Sequence, residues 1–261
     1  MALLCLSGCG KTEDDSFETM EVIGQRHYNL LFRLNDRIAP LVNAAMAQLY
    51  DSGELSSASL RWLGRDAIDL DTRSVPLPQE GGEDGTEAEA ETPAERTLIV
   101  GVEADFEPMA YEDNGILRGM SVDIAASLGV ALGWGVRCQP ITASEVEAQL
   151  ASGNIDVALG FDPGTVKEGK YTVGVEYMES DIVLSVRRSG VNSLRELRDQ
   201  RIGTVDDPSV IAAVKADERI TRYASGATVY LSARRCISAL DNGWCAAIAM
   251  DEIMLEHAAK Y

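Results

Sequence analysis

The feature that most constrains this chain is a regular alternation, from Leu98 onward, of short apolar runs with helix-period segments. Residues 98–102, 136–140, 155–159, 182–186, 201–205, 228–231 and 246–250 read as strands. Between them 122–132, 144–151, 209–215, 233–240 and 252–259 read as helices, with a helical turn at 194–197 and a long loop at 160–174. Alternating units of this length imply parallel strands covered by helices. Ligands of such sheets sit at the carboxyl ends of strands, where loops meet helix N-termini.

A different pattern precedes this one. Residues 28–32 read as a strand, and Asn35-Asp36-Arg37 stands before the helix-period stripe Ile38, Leu41, Val42, Ala45, Met46, Leu49, offering an Asn or Asp cap. Asp51-Ser52-Gly53 ends that helix, and a shorter one over 55–63 finishes at Gly64. So little core cannot stand alone and must pack on the rest. Between the two patterns lies 71–97, where 79–95 alone holds seven carboxylates and no base. That composition reads as a solvated, flexible linker.

The 261 residues suffice for two modest lobes or one large domain. A formal charge of −19 argues against a nucleic-acid partner, whose backbone is held by Lys and Arg. No apolar run approaches the ~20 residues that span a bilayer. Two distant histidines, His27 and His257, and the absence of any CxxC leave no zinc spacing and no Ser/His/Asp or Cys/His arrangement. A non-enzymatic protein without metal or cofactor is therefore expected. Cys236 and Cys245 are placed either to pair across a helix and the next strand or to remain buried free thiols, and Cys138 stands apart.

Leu6-Ser7-Gly8-Cys9 has the order of a bacterial lipobox, followed by the polar tether 10–16; the alternative is a chance match. Residues 1–6 are short for the apolar core of a signal and lack a basic region, so the natural start is expected upstream. Residues 1–16 thus read as a signal remnant and tether, with lipidation at Cys9 holding the protein to the extracytoplasmic face of the cell membrane.

Several segments, taken in order, carry a resemblance. They are Leu98-Ile99-Val100-Gly101-Val102-Glu103-Ala104-Asp105-Phe106-Glu107-Pro108-Met109, then Gly115-Ile116-Leu117-Arg118-Gly119-Met120-Ser121-Val122-Asp123-Ile124, and Leu150-Ala151-Ser152-Gly153-Asn154-Ile155-Asp156-Val157. Tyr177-Met178-Glu179-Ser180, Ser193-Leu194-Arg195-Glu196-Leu197, Arg201-Ile202-Gly203-Thr204-Val205, Ala239-Leu240-Asp241-Asn242-Gly243 and Met250-Asp251-Glu252 follow. Together they resemble the family 3 extracellular solute-binding proteins, which include the polar amino-acid receptors of ABC importers. The resemblance implies an α/β, two-lobed periplasmic-binding-protein (Venus flytrap) fold of type II. That family closes with a returning strand, a long helix and a short Trp-bearing helix. Here their likenesses stand at the front, in Tyr28–Asp36, Ile38–Tyr50 and Trp62-Leu63-Gly64. Circular permutation accounts for this order, and a fusion of two receptor fragments is its rival. The implied division is 17–70 as the permuted closing segment, 71–97 as linker, 98–182 as lobe 1 and 183–261 as lobe 2.

The resemblance also implies a ligand site of Glu103, Phe106, Gly160, Phe161, Thr165, Lys167, Ser209 and Asp251. Phe106 matches the family's stacking aromatic, Glu103 an acid that meets a basic side chain, and Asp251 the acceptor of an α-ammonium. The structural alternatives are loop packing for Phe106, an exposed strand end for Glu103 and a helix N-cap for Asp251. Glu168 stands where the family places the Arg that grips a carboxylate, and Lys167 beside it is a point charge and not a fork. Asp206-Asp207-Pro208-Ser209 adds further negative charge in the second lobe. The expected function is an extracytoplasmic receptor passing a small polar, amino-acid-like and cationic solute to an ABC permease. The alternatives are a degenerate receptor with a partner-binding role, or a cyclohexadienyl-dehydratase-like enzyme on the same scaffold.

Overall fold

The computed structural model describes residues 17–75, 96–103, 105–166 and 170–260. The lipobox with Cys9, most of the acidic linker, and Lys167 with Glu168 lie outside these residues. In chain order the elements are β1 (Phe17–Arg33), α1 (Ala39–Asp51), α2 (Glu54–Leu63), β2 (Thr97–Glu103), β3 (Tyr111–Asp113), β4 (Ile116–Arg118), α3 (Met120–Leu132), β5 (Gly135–Ile141) and α4 (Val146–Ser152). Then come β6 (Val157–Phe161), β7 (Tyr171–Arg187), β8 (Arg201–Val205), α5 (Pro208–Ala216), α6 (Glu218–Tyr223), β9 (Gly226–Tyr230), α7 (Ala233–Asp241), β10 (Ala247–Asp251) and α8 (Glu252–Ala258).

Eight strands form one sheet in the order β5-β2-β6-β1-β7-β10-β8-β9. The outer trios are parallel: β2 pairs with β5 and β6, and β8 with β10 and β9. Between them run β1 and β7, each 17 residues long and antiparallel from Phe17↔Arg187 to Arg33↔Tyr171. β1 also pairs antiparallel with β6, and β7 with β10. Two long strands therefore carry the chain between two α/β halves, which makes the molecule bilobed. β6 and β10 are buried at every position, as interior strands covered on both faces must be, and both are apolar except for Asp251 at the end of β10.

The front segment docks on its own second pattern. Both α1 and α2 contact α3, and Val42, Met46, Leu49, Leu55 and Leu63 share one apolar core with Ile124 and Leu128 of α3. Fully burying a side chain such as Met46 is worth about 1.5–3 kcal/mol, and six positions of α1 are buried. The carboxylate of Asp123, in the first turn of α3, accepts from Trp62 Nε1 at 2.8 Å and from Arg61 at 2.7 Å. Gly119 precedes α3 at φ 129°, where a Cβ would lie 2.2 Å from the Met109 carbonyl oxygen. That close approach lets Met120 and Ser121 donate their N–H groups to the Pro108 and Met109 carbonyls, so the helix N-terminus holds the loop bearing Phe106.

Several elements depart from expectation. The strand expected at 28–32 reaches back to Phe17, and the one at 182–186 begins at Tyr171, because each gives the other a full-length partner. The loop expected at 160–174 is shorter, since β6 continues through Phe161. α1 has Ile38 at its N-cap with no side-chain cap. Asp36 instead accepts from Ile38 N and pairs with Arg33. Two elements were not anticipated: the β3–β4 hairpin, turning on Asn114 and Gly115 at positive φ, and α6, capped by Asp217. Cys236 and Cys245 are both buried free thiols packed against Gly203, the second of the two readings offered for them.

Candidate functional site

Arg26 stands opposite Ser180 at the middle of the β1–β7 ladder, where β1 passes from one half of the sheet to the other. Its side chain is only 2% exposed. One terminal nitrogen donates to Glu103, at the end of β2, and lies 3.5 Å from the Gly160 carbonyl oxygen of β6. The other donates to Asp207, in the turn from β8 into α5. The two acids come from opposite halves, so the guanidinium ties them together. Its Cζ lies 4.4 Å from the ring centroid of Phe106 and 5.0 Å from that of Tyr28, within cation–π range of both. The two rings stack on each other, centroids 6.2 Å apart and planes within 10°. The buried Nε has no acceptor among the described residues.

A second layer fixes the first. Asp251, fully buried, accepts from Tyr28 Oη at 3.0 Å, from Ser180 Oγ at 2.9 Å and from Ile253 N at 2.8 Å, so it caps α8 while it orients Tyr28. Asp207 accepts from Ser209 N and Val210 N, capping α5 and aiming its other oxygen at Arg26. Asp162 accepts from Gly164 N and, across the cleft, from Ser209 Oγ at 3.0 Å.

Three carboxylates surround one guanidinium here. Burial pushes Glu103 up to about 7 and Asp251 up to about 6, against the opposing pull of Arg26. Burial would lower Arg26, but Asp207 and Glu103 outweigh it and hold the guanidinium above even its ordinary value. Burial and then Asp251 raise Tyr28, which keeps its proton and acts as a donor.

Beside Arg26 an open cleft of about 270 Å³ remains, lined by Glu103, Asp105, Phe106, Asp206, Asp207, Ser232 and neighbours. Among the described residues no Lys or Arg lines it. A larger hollow of about 590 Å³ lies among β8, β9, α5 and α6, but Ile211, Val214, Ile220 and Val229 make it mainly apolar and no carboxylate faces it. The convergent polar groups are in the smaller cleft, and chemistry favours that one.

Of the residues picked out by sequence, Glu103 and Phe106 line the cleft, the Gly160 carbonyl faces Arg26, Asp251 orients Tyr28, and Ser209 bonds to Asp162. Phe161 packs in a separate core with Leu31, Ile141 and Leu150. Thr165 Oγ1 donates to the Asp162 carbonyl within its own loop. Sequence reading missed Arg26 and Tyr28 as site residues. The available signal was a base inside a strand, two residues from an aromatic on the same face, in a chain with a large excess of acids.

Comparison with known proteins agrees with this architecture. Residues 98–244, more than half of the chain, match the model of the bacterial extracellular solute-binding proteins, family 3. The arginine-binding extracellular protein ArtP of Bacillus subtilis (strain 168) is 26% identical over 110 residues, which cover 41% of this chain and 43% of that protein. The match therefore spans less than half the length of that relative. Among solved structures, an ABC uptake transporter substrate-binding protein from Streptococcus pneumoniae with bound histidine superposes with a TM-score of 0.53 at 20% identity, covering 62% of this chain and 68% of that one. The likeness is of fold, a type II periplasmic-binding-protein architecture. With its two α/β halves, its crossing strands and a family match over more than half its length, the chain belongs to the bacterial extracellular solute-binding proteins, family 3.

Proposed function

We propose that this protein is a lipid-anchored, extracytoplasmic receptor that delivers a small polar solute carrying positive charge to the permease of an ABC importer. The observation that carries the reading is the lining of the open cleft: four carboxylates, Glu103, Asp105, Asp206 and Asp207, beside Phe106, with no basic residue in the lining among the described residues. A desolvated cation needs that combination of charge-assisted acceptors and an aromatic surface. Ser232 adds a hydroxyl at the start of α7 for a polar group of the solute. The name of the Bacillus relative, an arginine-binding protein, agrees with a cationic solute. Residues 17–70 serve as the closing segment of a circularly permuted receptor, with 98–182 as lobe 1 and 183–261 as lobe 2. The contacts of α1 and α2 with α3 support that division.

The test is a thermal-shift and calorimetric panel of polyamines and of basic, neutral and acidic amino acids against the wild-type protein. Cations should raise the melting temperature. If only neutral or acidic amino acids do so, the cationic reading is wrong. The anchor is tested separately: replacing Cys9 with Ser in the full-length protein should move it from the membrane fraction to the soluble extracytoplasmic fraction.

A further inference from the structure

We infer that Arg26 is the specificity-determining residue of the cleft: a guanidinium supplied by the chain itself, which fills the innermost cation position and so restricts solutes to the shallower space beside it. This rests on the receptor reading above. The chemistry around Arg26 is that of a guanidinium-binding slot. Two carboxylates each take one terminal nitrogen, a backbone carbonyl faces one of those nitrogens, and Cζ lies over two aromatic rings. The groups that form the slot come from five places in the chain: Tyr28 on β1, Glu103 on β2, Phe106 in the following loop, Gly160 on β6 and Asp207 at the start of α5. They converge on the end of one side chain that is itself 2% exposed.

The slot is continuous with the open cleft, since Glu103, Phe106 and Asp207 line both. A solute that brought its own guanidinium to this depth would compete with one present at very high effective concentration, because Arg26 is covalently attached at the middle of β1. Solutes bearing a compact ammonium meet no such competitor, since Asp105 and Asp206 remain outside the slot. Arg26 also bridges an acid of each half, so the two halves are clasped before any solute arrives.

Chemical rescue tests this. Arg26→Ala empties the slot and leaves Glu103 and Asp207 without their cation, so the variant should melt well below wild type. Millimolar methylguanidinium, a planar fork of the right charge, should restore several degrees of that loss. Methylammonium, a point charge, should restore much less, and neither should shift the wild type by as much. If Arg26→Ala does not fold alone, refolding it with methylguanidinium should recover the native far-UV circular dichroism where methylammonium does not. The inference is overturned if methylguanidinium stabilises wild type and variant equally, if the two cations rescue equally, or if neither rescues. Rescue without any solute binding by wild type would sink the receptor reading and leave the slot. Wild-type binding of cations without rescue would do the reverse.

Discussion

The Ser209 hydroxyl donates to the Asp162 carboxylate at 3.0 Å, joining the first turn of α5 to the loop after β6. Both residues are buried and they belong to opposite halves of the sheet, so this contact is a second clasp parallel to that of Arg26. Ser209→Ala would remove the donor that one carboxylate oxygen of Asp162 has among the described residues, and losing a partner from a buried polar group costs about 1–3 kcal/mol. Urea unfolding should show that loss for Ser209→Ala and much less of it for Ser209→Thr, which keeps the hydroxyl. Equal losses would mean that packing, and not the hydrogen bond, matters at this position.

The acids facing Arg26 also set a pH dependence. Burial raises Glu103 to about 7 and Asp251 to about 6, above the unfolded carboxyl range of about 4. The native state therefore binds more protons than the unfolded chain between about pH 4 and 7, and stability falls as pH rises through that window. His27, raised chiefly by its hydrogen bond to Glu176, acts in the same direction, since its contribution is present at low pH and lost as the imidazole deprotonates. The urea midpoint should be lower at pH 8 than at pH 5, and Glu103→Gln should reduce the difference. A midpoint that climbs from pH 5 to pH 8 would contradict this account.

Docking of the front segment can be probed at Asp123. Its carboxylate takes donors from both Arg61 and Trp62 and stands in the first turn of α3, where negative charge also suits the helix N-terminus. Asp123→Ala removes all three terms, and a charged hydrogen bond of this kind is worth about 1.5–3 kcal/mol. Part of the pair is exposed, so the lower end of that range is expected. Asp123→Asn should recover part of the loss, because its amide oxygen still accepts from Trp62 Nε1. Urea unfolding followed by far-UV circular dichroism measures the loss.

The internal thiols should be inert in the native protein. Burial pushes Cys138 and Cys245 up to about 11 and Cys236 higher still, so almost no thiolate forms at neutral pH. With Cys5 and Cys9 replaced by Ser, a thiol reagent should react slowly with the folded protein and with three thiols in denaturant. Rapid reaction of Cys236 or Cys245 without denaturant would show that this half of the sheet opens locally.

Much of the fold was legible in the alternating pattern. The strand at 201–205, the helical turn at 194–197 and the helix ending at Gly64 lie where the sequence put them, because apolar periodicity, a β-branched run and a glycine C-cap all act locally. The long strands were cut short because their outer halves are partly exposed and polar, and only the partner strand, more than a hundred residues away, makes them strands. The site divided the same way. Motifs next to strand ends point to Glu103, Phe106 and Asp251, which stand within the network around Arg26 and Tyr28. Arg26 was not, since its meaning depends on acids from β2 and from the turn after β8 that no local pattern brings together.

The paired 17-residue strands give the molecule an elastic element. A pair of loose linkers would let the halves swing freely, but a hydrogen-bonded ribbon must twist or shear as they part, and it stores that work along its length. Its weak points are where the register slips, at Thr19/Glu21, Val22/Gly24, Tyr28/Asn29 and Asn29/Leu31, and these flank Arg26 on either side. Parting the halves would therefore have to distort this ribbon and separate Arg26 from Glu103 or Asp207.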